Sequence, residues 1–105
     1  MQRKINLSER ADSELAALEK NPRFAGLLKQ VVKTLALLET NLKHPGLHTH
    51  KFSTMEGANG EEVFEAYVQN NTPGACRVFW HYGPDEIAGK KRIPVISILA
   101  ITSHP

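Results

Sequence analysis

A chain of 105 residues, 41% hydrophobic and 23% charged, has the make-up of one ordinary globular domain over residues 1–105 and excludes a disordered or low-complexity protein. Its single cysteine excludes an internal disulfide and, with no signal-peptide pattern, points to a reducing cytoplasmic setting; no apolar run reaches membrane-spanning length. The net charge of +2 is too small to argue for a nucleic-acid partner by itself.

Residues 3–7 read as a short strand or an extended lead-in, and Ser8 as the N-cap of a first helix running to about residue 19, with Ala11, Leu15 and Leu18 as its buried stripe. Asn21-Pro22 restarts the helix, since Asn caps and proline loses no hydrogen bond at the first helical position. Phe24, Leu27, Leu28, Val31, Leu35, Leu38 and Leu42 then recur at three- and four-residue spacing, with Lys29, Gln30, Lys33 and Thr34 mostly opposite. This second helix ends at residues 41–44, before Pro45-Gly46.

From there the period changes. Residues 47–53 form a short strand or loop, 55–60 a turn, and 62–69 an alternating strand. Residues 70–74 turn into the strand 75–82, which is followed by a polar loop over 83–92. Residues 94–101 are β-branched and apolar on both faces, as in a central buried strand. Two helices followed by a meander predict an α+β fold, an N-terminal helical hairpin packed on a small, mainly antiparallel sheet.

Residues 75–82 are the segment around which the candidate chemistry gathers. Alternation sets Cys76, Val78, Trp80 and Tyr82 on one face and Arg77, Phe79 and His81 on the other. A charge on an apolar strand requires an anionic or hydrogen-bonding partner, either a carboxylate of the fold, with Glu65 on the neighbouring strand, or a ligand phosphate. A guanidinium fork fits phosphate oxygens and keeps its proton. Between residues 41 and 55, Lys43, His44, His48, His50 and Lys51 occur with no acid among them, and Lys90, Lys91 and Arg92 form a second basic run. Each run either meets phosphates or is a solvated loop. The histidine spacing matches no zinc pattern, and Cys76 has no base beside it. His104 emerges just after the last strand, where a sheet can position a side chain and where terminal residues fray.

In the order helical hairpin, HPGLHTHKF (44–52), VFEAYV (63–68), ACRVFWHYG (75–83) and ISILAITSHP (96–105), the chain resembles the RelE/ParE superfamily of type II toxin-antitoxin toxins over nearly its whole length. For the ribosome-dependent branch the resemblance implies cleavage of messenger RNA without metal or other cofactor, by attack of the 2′-hydroxyl on the adjacent phosphorus. The implied partners are a cognate antitoxin, the ribosome and its message. Carried onto this sequence, the resemblance makes Arg77 the clamp on the phosphorane and His104 the acid for the leaving oxygen. It puts the base at His50 or Lys51. Lys43, His48, His81, Tyr82, Lys90, Lys91 and Arg92 would contact RNA, with His81 and Tyr82 stacking on or orienting a base. The ParE branch, with the same fold, implies inhibition of DNA gyrase by binding; a non-toxic relative would keep only partner binding.

Overall fold

A computed structural model of the chain describes residues 3–68 and 75–103. Strand β1 (Lys4–Leu7) leads into helix α1 (Glu9–Lys20), a 3₁₀ turn (Pro22–Phe24) and helix α2 (Ala25–Thr40). After a second 3₁₀ turn (Pro45–Leu47) come β2 (His50–Glu56), β3 (Glu62–Tyr67), β4 (Cys76–Tyr82), the short pair β5 (Glu86–Ala88) and β6 (Lys91–Ile93), and finally β7 (Val95–Ser103).

The fold is α+β, and its five-stranded sheet is mixed, in the order β1-β7-β4-β3-β2. Three neighbouring pairs are antiparallel, and β1 lies parallel to β7. Residues 3–7 take the strand reading of the two the sequence offered, so the helices follow β1. Helix α1 lies chiefly against β7 rather than against α2. The backbone explains this docking. Strand β1 pairs with only residues 95–98 of β7, so the rest of that edge needs other partners. Helix α1 supplies two of them: the Ser8 hydroxyl donates to the Leu99 carbonyl (2.9 Å), and the Ile101 N–H donates to Glu14 Oε1 (2.9 Å). Ser8 also caps the helix, accepting from the Ala11 N–H at 3.0 Å.

The main core lies between the helices and one face of the sheet, where Ala11, Val31 and Leu38 meet Val78, Trp80, Ile96 and Ile98. Asn21 caps the 3₁₀ turn at Pro22 through the Arg23 N–H, as its sequence predicts. Thr34, expected on the polar side of α2, is buried; its hydroxyl is satisfied by the Gln30 carbonyl one turn back (2.9 Å).

The opposite face is partly covered by β2 itself. Its register against β3 breaks between Lys51 and Glu56, and the irregular stretch brings Phe52 and Met55 over Val63, Phe79 and Ala100 as a second, smaller core. Residues 83–92, expected as a loop, contain the β5–β6 hairpin, a separate two-stranded sheet. It is tied to the main sheet by Lys4, whose ammonium pairs with Glu86 at 3.0 Å, and by Asp85, which accepts from the Val95 N–H at 3.0 Å. Among the described residues, no helix is long and apolar enough to cross a membrane.

Candidate functional site

The face of the sheet turned away from the helices carries Arg77 and His50 of the side chains singled out by the sequence, with His48 at its margin. Register places His50 opposite Glu65 and Glu65 opposite Phe79, one row across β2, β3 and β4, and beside it Tyr67 opposite Arg77, a second row that His48 extends from just before β2. The alternation assigned to residues 76–82 holds in the packing: Cys76, Val78 and Trp80 enter the main core, and Phe79 enters the smaller one.

Tyr67 is the centre of the second row. The Arg77 guanidinium lies over its ring, with Cζ 3.8 Å from the centroid. From the β2 side, the His48 ring is tilted against it at 5.1 Å, and His50 meets it edge-on at 5.7 Å. Arg77 is buried, with 8% of its surface exposed, and one of its terminal nitrogens donates to the Cys76 carbonyl (3.1 Å). Glu65 is the most deeply buried charged group, at 1%, and one of its oxygens lies 2.7 Å from His50 Nε2. The other ring nitrogen of His50 faces the His48 carbonyl at 2.9 Å. Both His50 nitrogens therefore point at oxygens. Beside Arg77, whose partner on β7 is Thr102, runs a groove of about 390 Å³. Phe52, Met55, Phe79, Ala100, Thr102 and Arg10 are among the residues that line it.

The remaining candidates are distributed elsewhere. Lys51 follows His50 in a strand and so points to the other face, where its ammonium pairs with Glu62. Tyr82 is exposed on that same helix-bearing face, where Lys43 and Arg3 line a pocket with it. His81 is buried at 5% exposure with Nδ1 at 2.9 Å from the Tyr82 carbonyl, so its ring has no open face on which a base can stack. Lys90, Lys91 and Arg92 sit on the β5–β6 hairpin, beyond the Tyr82 end of β4, while Arg77 is at its start. About 20 Å of strand separates the two ends, and Arg92 is engaged with Asp85 at 3.1 Å. His104 lies outside the described residues, as does the expected turn at 70–74. Sequence reasoning did not single out Tyr67, and it weighed Glu65 only as a partner for Arg77. The spacing of the two at i and i+2 on a strand was a usable signal once the neighbouring register was known.

Burial pushes the Cys76 thiol up to about 11, so a resting thiolate there is disfavoured. Among the described residues, no group of three or more His, Cys, Asp or Glu side chains is placed to hold a metal ion.

No protein-family model matches the sequence, and no curated protein matches it. The fold does have a solved counterpart. The YoeB dimer from Staphylococcus aureus is similar over the whole of both chains, with a TM-score of 0.59 and 12% sequence identity. At that identity the likeness is one of fold.

Proposed function

We propose that this protein is the toxin of a type II toxin-antitoxin pair, a RelE-like enzyme that cleaves messenger RNA on the ribosome and is held in check by its antitoxin in the cytoplasm. The observation that carries this reading is the row Arg77, Tyr67, His48 on the helix-free face, in a fold similar to that of YoeB. A guanidinium, a phenol and an imidazole set side by side supply charge, a hydrogen-bond donor and a proton-transfer group, which phosphodiester cleavage by an internal 2′-hydroxyl requires. Arg77 stabilises the charge that builds on the non-bridging oxygens in the transition state, and His104 protonates the departing 5′-oxygen. Because Arg77 and Tyr67 are paired on neighbouring strands and His48 is held in the turn just before β2, their spacing is fixed before substrate arrives.

A binding-only relative is the second reading, and the burial of Arg77 favours it: a guanidinium with 8% of its surface exposed and packed on Tyr67 already contributes to the fold. Induced expression with primer extension on translated messages separates the two. Growth arrest with cuts in message, lost in Arg77→Ala and His104→Ala proteins that remain folded, supports the nuclease. Arrest without RNA cuts and with cleaved DNA moves the target to gyrase. Normal growth leaves partner binding as the function.

A further inference from the structure

Cleavage by a 2′-hydroxyl also needs a group that receives the hydroxyl proton, and the hydrogen bonds of the histidines distinguish among them. This inference rests on the nuclease reading above. His50 has both ring nitrogens committed, to Glu65 at 2.7 Å and to the His48 carbonyl at 2.9 Å. His44 Nδ1 accepts from the Gly46 N–H at 3.0 Å, and His81 is buried against the Tyr82 carbonyl. Lys51 is on the other face with Glu62. The ring of His48 makes no hydrogen bond among the described residues, and the residue is exposed. It stands beside Tyr67, with Arg77 reaching the same ring from the neighbouring strand.

We propose that His48 is the proton acceptor, held in place by a chain running from Glu65 through His50 to the His48 backbone. The dimensions suit the step. Arg77 Cζ and the His48 ring lie 3.8 Å and 5.1 Å from the Tyr67 centroid, so they are at most about 9 Å apart. A guanidinium on phosphate, an attacking oxygen about 3 Å from phosphorus and a hydrogen bond of about 3 Å to the base together span a similar length. The 2′-hydroxyl proton moves to a His48 ring nitrogen as the 2′-oxygen bonds to phosphorus. The bond from phosphorus to the 5′-oxygen breaks with its electron pair on that oxygen, which takes a proton from the general acid that the nuclease reading requires. A 2′,3′-cyclic phosphate and a 5′-hydroxyl result, and no water is consumed.

The backbone supports a dedicated position for this ring. His48 sits at φ 46°, in the left-handed region, with its N–H donating to the Pro45 carbonyl at 3.1 Å. Non-glycine residues seldom occupy that region, and those that do cluster where geometry serves function. His50 donates to the carbonyl of this same residue, so the Glu65 pairing fixes the orientation from which the ring projects.

Glycine at position 48 removes the imidazole while relaxing the backbone, so loss of activity in His48→Gly cannot be blamed on misfolding. The experiment is single-turnover cleavage of a programmed message on purified ribosomes with the full chain, comparing wild type with His48→Gly and adding free imidazole. The expected result is a fall of about 100-fold or more with unchanged or higher Tm, partly restored by imidazole. Cleavage by His48→Gly within about threefold of wild type overturns the assignment. So does a loss that imidazole does not restore, which would mark His48 as a contact for RNA only. If wild type itself makes no cut, the nuclease reading fails and this inference falls with it.

Discussion

The pairing of His50 with Glu65 ties the start of β2 to β3 and carries the positioning of His48, so its strength is measurable and consequential. Alanine replacement of each, alone and together, gives a double-mutant cycle in urea. The Glu65 side chain is 1% exposed and that of His50 47%, so the pair falls between two regimes. A charged hydrogen bond in a protected setting contributes about 1.5–3 kcal/mol, and an exposed ion pair about 0.2–1 kcal/mol. Water reaches one side of the imidazole and none of the carboxylate; a coupling of about 1.5 kcal/mol follows, at the lower edge of the protected range. At a urea slope of about 1.5 kcal/mol per molar, His50→Ala alone lowers the unfolding midpoint by roughly 1 M. The cycle also cancels the packing that each substitution removes. A coupling below about 0.5 kcal/mol would show the pair to be a screened surface contact, and the tether assigned to His50 would be refuted.

Trp80, 1% exposed, stacks on Phe64 at 5.0 Å and takes the edge of Tyr82 at 5.0 Å, so Trp80→Ala should cost about 3–5 kcal/mol and lower Tm by roughly 15 °C or more in a thermal melt. Trp80→Phe should cost far less, because the indole N–H it removes has no hydrogen-bond partner among the described residues. Cys76, its thiol pushed up to about 11 by burial, should resist iodoacetamide at pH 8 in the native state and react on unfolding. The folded state holds that proton to higher pH than the unfolded chain, so stability should fall as pH rises from the usual thiol range through about 11. Cys76→Ala should flatten that alkaline decline in a denaturation series.

Local signals in the sequence were reliable where the chemistry is local. Ser8 and the Asn21-Pro22 dipeptide start their helical segments as read, because a cap is satisfied by N–H groups two or three residues away. The alternation of residues 76–82 separated the core face from the Arg77 face, since a strand's period is a property of the backbone. His50 and Lys51, both offered as the base, fall on opposite faces because residues 50–56 are a strand, a point the sequence left open between strand and loop. Lys43 and Tyr82 gather with Arg3 on the helix-bearing face because the end of α2 packs there, a placement that local spacing does not encode.

The sequence by itself determined the α+β class, the helix starts, the faces of the central strand and Arg77 as the charge on its apolar ladder. The tertiary structure decided what that charge meets. Tyr67 lies over Arg77, and Glu65 engages His50, through the register of β2, β3 and β4, a property of long-range hydrogen bonding between segments far apart in the chain. It also decided that β1 joins β7 in parallel and that α1 bonds the remaining edge of β7, since unpaired backbone groups take whichever partners the folded chain brings within reach.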